Sequence, residues 1–117
     1  MSSIAHRMNH IFGQDKKTFI LAMDHGANFK VLPALKDIGK VIRETAAAGA
    51  DAFLSTVGMA DKFGDCFLGK GIILRMDGGV SCLSKPSKAM QITATPEDAL
   101  RLGADAVVMM FVLGQGD

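Results

Sequence analysis

Apolar residues along the chain alternate between unbroken short runs and runs spaced for a helix. Residues 18–23 (TFILAM) are an uninterrupted apolar stretch that stops at Asp24-His25-Gly26. That is the pattern of a parallel-sheet strand buried on both faces, with a polar loop at its C-terminal end. After Pro33, residues 34–48 place Leu35, Ile38, Val41, Ile42 and Thr45 three and four apart, one face of an amphipathic helix, and Gly49 supplies its stop. Residues 50–56 (ADAFLST) and 71–76 (GIILRM) read as two further short strands, the second ending in Asp77-Gly78-Gly79. Thr95-Pro96-Glu97-Asp98 offers an N-cap hydroxyl, a proline at the first helical position and acids in the first turn. A short helix is therefore predicted to run to Leu102 before Gly103. Residues 106–113 form the fourth and most hydrophobic strand.

This alternation predicts an α/β fold, a parallel sheet wrapped by helices rather than a set of hairpins. An internal echo supports it: Gly49-Ala50-Asp51-Ala52 and Gly103-Ala104-Asp105-Ala106 each stand between a helix and a strand. The same helix stop and strand entry is used twice. With 117 residues the chain is read as one domain, 1–117. A hydrophobic content of 49% excludes disorder. Thirteen basic side chains against twelve acidic ones give no electrostatic case for nucleic acid or an acidic membrane surface as partner. The longest apolar run, 106–113, falls well short of the roughly 20 residues of a membrane-spanning helix. The first dozen residues hold no apolar secretory segment, so the expected location is the cytoplasm, with Cys66 and Cys82 as free thiols. Eight Met and seven Phe without Trp or Tyr point to flexible core filling, with Met109 and Met110 as core inside the fourth strand. A four-stranded sheet ending there leaves apolar faces and two edges uncovered.

Parallel α/β folds gather their reactive groups at the C-terminal ends of the strands. Three clusters meet that rule: Asp24-His25-Gly26, then Ser55 with Thr56, then Arg75 with Asp77, Gly78 and Gly79. An Asp and a His at one strand tip supply a proton-transfer group and a contact to a substrate oxygen, while Gly26 permits close backbone approach. The plainer alternative is that Asp24 only caps the segment after it. Asp77-Gly78-Gly79 reads equally well as a turn. Arg75 either points into the interior or pairs with Asp77 or Asp24, because a buried guanidinium requires an acidic partner. Lys85 and Lys88 either face a phosphate or, the better reading, are solvated loop side chains. His6 and His10 are four apart but lack a third ligand, so a solvated N-terminal helix is expected and no metal. No phosphate-loop or dinucleotide motif occurs, and no cofactor is expected.

TFILAMDHG, AGADAFLST, GIILRMDGG and PEDALRLGADAVVMMFVLG together resemble the first half of the archaeal-type class I fructose-bisphosphate aldolase family. That family also contains the aminodideoxyheptulosonate synthases and the thiolase acting on phosphorylated autoinducer. The resemblance covers about residues 11–114, and DHG and ALRLGADAV are its most specific parts. It implies a (β/α)₈ barrel of about 250 residues, of which this chain supplies strands one to four, a half-barrel. The implied chemistry is a Schiff base between a lysine and a ketose or ketose phosphate, followed by cleavage or formation of a carbon–carbon bond. On this resemblance Asp24 is the catalytic acid near the reacting centre, His25 and Gly26 line the substrate pocket, and Asp77 meets substrate hydroxyls. The family's lysine lies on strand six and its phosphate site after strands seven and eight. Neither segment has a counterpart here, and neither Lys85 nor Lys88 stands at a matching position. Where members carry an acidic and aromatic run after strand four, this chain has Gln115-Gly116-Asp117. The expectation is thus a truncated or split aldolase, inactive alone, with a sugar phosphate as its small-molecule partner. Two alternatives remain open. One is a non-catalytic association module pairing with a second copy or a complementary half-barrel. The other is a site in which Asp24, His25 and Asp77 bind a sugar phosphate or divalent ion without reaction.

Overall fold

The computed structural model describes residues 3–28, 30–80, 82–85, 90–111 and 113–114. Lys88 and the terminal residues 115–117 lie outside the described residues. In chain order the elements are α1 (Ser3–Ile11), β1 (Ile20–Ala22), α2 (His25–Asn28), α3 (Ile38–Ala47), β2 (Ala52–Ser55), α4 (Val57–Phe63), β3 (Gly71–Arg75), β4 (Asp77–Gly78), β5 (Gln91–Ile92), α5 (Pro96–Arg101) and β6 (Ala106–Val108). Short 3₁₀ turns cover Pro33–Leu35 and Gly64–Phe67. The predicted parallel sheet is present, in the order β1-β2-β3-β6. Ile20 lies opposite Ala52, Ala52 opposite Gly71, and Ile73 opposite Ala106.

Local chemistry explains the helix boundaries. Asp37 caps α3 by accepting from the Lys40 N–H, Thr56 caps α4 by accepting from the Met59 N–H, and Thr95 and Asp98 form a reciprocal capping box on α5. The Thr95 backbone N–H, and after it the Thr95 hydroxyl, hold the Asp98 carboxyl below its usual value. Between sheet and helices sits a core built on Ile42, Phe53, Phe67 and Leu74, all fully buried, with Met23, Met59 and Cys66 around them. Phe53 and Phe67 meet edge to face at 5.4 Å. Burial of each such side chain contributes about 1.5–3 kcal/mol.

The two Gly-Ala-Asp-Ala echoes fold into the same latch. Gly49 and Gly103 take left-handed φ values of 116° and 74° and end their helices. Ala50 and Ala104 are buried. Asp51 donates its N–H to the Phe19 carbonyl (3.0 Å) and accepts the Phe19 N–H on its carboxylate (2.7 Å). Asp105 does the same to Ile72, at 2.8 and 3.0 Å. Each aspartate thereby satisfies a backbone donor of the neighbouring strand segment that would otherwise stay unpaired.

Four expectations need correction. The first strand, read as 18–23 and buried on both faces, is 20–22, with Phe19 and Ile20 exposed. The fourth, read as 106–113, ends its ladder at Val108, and Met109 and Met110 are exposed rather than core. Both errors share a cause: apolar residues signal burial, but β1 and β6 are the edges of the sheet, and among the described residues no further strand pairs with them. Helix α1 is not merely solvated. Ile11 is buried, and a Cβ on Gly71 would stand 2.8 Å from the His10 carbonyl, so only glycine lets α1 close onto β3. Finally, the chain after β3 forms a small antiparallel pair, Asp77 opposite Ile92 and Gly78 opposite Gln91.

Candidate functional site

Three strand ends converge on one guanidinium. Arg75 is the last residue of β3 and its side chain is 4% exposed. Its Nη1 donates to Asp24 Oδ2 at 2.7 Å, its Nε donates to Asp77 Oδ1, and its Nη2 contacts the Met90 sulfur at 3.4 Å. Asp77 uses its other oxygen to accept the Met110 N–H at 2.8 Å, tying the chain beyond β6 to the same network. Asp24 reaches this position because the Met23 N–H pairs with the Leu54 carbonyl, carrying the chain one residue past β1 before the Asp24 carbonyl accepts from Ala27 and α2 begins. Asp24 and Asp77 are themselves buried, at 7% and 4% exposure. Two carboxylates around one guanidinium leave a formal charge of −1. Buried charges persist only when paired in this way, and removing one partner strands the others in a medium that cannot solvate them.

Over this network opens a cleft of about 520 Å³, lined by Gly26, Ala27, Thr56, Val57, Gly58, Arg75, Asp77, Gly78, Gly79, Val80 and Thr93. Gly78 packs against the α2 backbone, where a Cβ would stand 3.0 Å from the Ala27 carbonyl. Of the residues singled out in the sequence, Gly26, Thr56, Arg75, Asp77, Gly78 and Gly79 line the cleft directly. Asp24 is not among the lining residues but is ion-paired to Arg75, which is, and His25 is half-buried. The Nδ1 of His25 is buried and has no partner among the described residues. Ser55 is fully buried and Thr56 serves as the α4 cap, so that strand end contributes a wall more than a reactive group. Lys85 is exposed. His10 meets Asp105 at 2.7 Å and the His6 ring edge to face at 4.8 Å, and among the described residues there is no group of three His, Cys, Asp or Glu placed to hold a metal ion. Cys66 lies away from the cleft, its thiol pushed up by burial against the opposing pull of Arg43. Met90, Thr93 and Met110 were not legible as site residues, since each arrives from a segment whose path the local pattern does not specify.

A parallel β/α sheet with polar groups and a cleft at its strand tips has the architecture of a (β/α)-barrel enzyme. Residues 18–117 match the model of the DeoC/LacD family aldolases, and the chain belongs to that family. It is 36% identical over 101 residues to the 2-amino-3,7-dideoxy-D-threo-hept-6-ulosonate synthase of Halobacterium salinarum, covering 86% of this chain and 37% of that protein. It is 29% identical over 121 residues to the class 1 fructose-bisphosphate aldolase of Thermoproteus tenax, covering 99% of this chain and 45% of that protein. The crystal structure of an archaeal fructose 1,6-bisphosphate aldolase matches with a TM-score of 0.75 at 27% identity, over 92% of this chain and 43% of that one. An archaeal aldolase structure with the catalytic Lys covalently bound to the carbinolamine intermediate matches at a TM-score of 0.73. The chain thus spans less than half the length of these relatives, as a half-barrel does. Among the described residues no helix is long and apolar enough to cross a membrane.

Proposed function

We propose that these 117 residues supply the strand-one-to-four wall of a class I, Schiff-base aldolase acting on a ketose phosphate or related sugar phosphate in the cytoplasm. The observation that carries this reading is the buried Asp24–Arg75–Asp77 network at the mouth of an aldolase-family half-barrel. In such a reaction a lysine amine adds to the ketose carbonyl and water leaves. The resulting iminium then accepts the electron pair released when the carbon–carbon bond breaks. Asp24 is the carboxyl that positions the lysine or substrate and moves a proton, with His25 beside it. Gly26 gives close backbone approach, and Asp77 accepts from substrate hydroxyls. On this reading the Schiff-base lysine belongs to strand six of the barrel, outside the strand-one-to-four wall, and no lysine lines the cleft among the described residues.

The test is to refold the chain with strands five to eight of the Thermoproteus tenax relative, add fructose 1,6-bisphosphate, reduce with borohydride and weigh both polypeptides. The expected result is turnover with the reduced adduct on the complementary half, and neither turnover nor adduct with this chain alone. Cleavage by this chain alone, or an adduct on it, overturns the reading. The alternative of a non-catalytic association module draws on a specific observation, the apolar side chains exposed at both sheet edges: Phe19 just before β1 and Ile20 in it, Val107, Met109 and Phe111 on and after β6. A second copy, brought round an axis along the barrel, would close an eight-stranded ring. Light scattering decides it: a stable dimer that refuses the complementary half favours the module.

A further inference from the structure

We propose that Arg75 is the substrate anchor of this wall, donating from Nη2 to a neutral oxygen of the carbohydrate, a hydroxyl or the carbonyl, and that the wall rejects phosphate. This deepens the proposed function and rests on it for the identity of the substrate. A guanidinium carries five N–H donors in a rigid fork. In Arg75 the Nε and Nη1 sides are taken by carboxylate oxygens, whereas among the described residues Nη2 meets only a thioether sulfur at 3.4 Å, a weak acceptor. Arg75 lines the cleft although its side chain is 4% exposed, so the donor left with the weak partner belongs to a group otherwise withdrawn from water. An arriving oxygen replaces sulfur with a far better acceptor.

Charge selects which oxygen. Among the described residues Arg75 is the only cation on the lining, and Asp24 and Asp77 formally outweigh it. A phosphate dianion would meet net negative charge here. A hydroxyl can accept from Nη2 and donate to the Asp77 carboxylate, satisfying both partners at once. The wall therefore takes the unphosphorylated, oxygen-rich part of a substrate.

The test uses the 117-residue chain with D-fructose and inorganic phosphate as probes, read by nitrogen-15 NMR at the Arg75 side chain and the Gly78 and Gly79 amides. Fructose is expected to give saturable shifts at these groups and phosphate none. Arg75→Lys keeps a cation between the two acids but removes the fork, and is expected to weaken the fructose response by about fivefold, the worth of one hydrogen bond. Shifts with phosphate, or no saturable shift with fructose, overturn the proposal. So does a folded Arg75→Lys chain with an unchanged response. If Arg75→Lys fails to fold, the wild-type contrast between fructose and phosphate decides alone. No Schiff base is involved, so the proposal can fail while the borohydride test succeeds, and the reverse.

Discussion

The two ends of this sheet use aspartate for opposite purposes. At the N-terminal ends of the strands Asp51 and Asp105 accept backbone N–H groups, α1 closes over Gly71, and His10 and Arg7 bind Asp105 and the Ala104 carbonyl. The carboxylates there are matched to backbone and side-chain neighbours, while the buried Thr18 hydroxyl has no partner among the described residues. At the C-terminal ends Asp24 and Asp77 surround Arg75, an open cleft lies above them, and among the described residues the guanidinium Nη2 meets only a sulfur. The contrast lies in what surrounds the charges: at the N-terminal ends the carboxylates tie backbone to backbone, whereas at the C-terminal ends a buried ionic network lines an open cleft, the end where the strand-tip rule places chemistry.

The comparison breaks most sharply at Arg75. Arg75→Met leaves two buried carboxylates facing each other and is expected to lower stability by about 3–5 kcal/mol in urea unfolding. Adding Asp24→Asn and Asp77→Asn should recover much of that loss, since the cost lies in unpaired charge and not in lost bulk. At the opposite end, Gly71→Ala forces α1 off β3 and should cost about 2 kcal/mol by the overpacking it creates. Asp51→Ala removes one backbone acceptor and should cost about 1 kcal/mol, with faster hydrogen exchange at the Phe19 amide as its local sign.

The smallest effect is a pH dependence at the α5 cap. The folded Asp98 carboxyl lies below its ordinary value, so its contribution is complete above the usual carboxylate range and is lost as pH falls through the lowered folded value. Acid urea curves of Asp98→Asn should lack that part of the decline.

Much of this was legible in the sequence because it is coded locally. The strand cores, the Thr95-Pro96 start, and the Gly49 and Gly103 stops each follow from a few adjacent residues. The family was legible too, through DHG and the run into the fourth strand. What failed was what depends on distant neighbours. The tails of the first and fourth strands look as apolar as their middles, yet lie at sheet edges. Met109 and Met110 read as core for the same reason. Arg75 could be assigned a need for an acid but not which acid, since Asp24 lies 51 positions away and Asp77 only two, and the fold uses both. The Gln91–Ile92 strand is too short to carry any alternation.

The most direct test of this division is turnover per folded molecule in the reconstituted complex, comparing Asp24→Asn with Asp105→Asn. The account predicts that Asp24→Asn lowers turnover by about 10²-fold or more, the ordinary worth of a positioned proton-transfer group, while Asp105→Asn lowers stability and leaves turnover per folded molecule intact. Full turnover with Asp24→Asn, or an equal loss with Asp105→Asn, would contradict it.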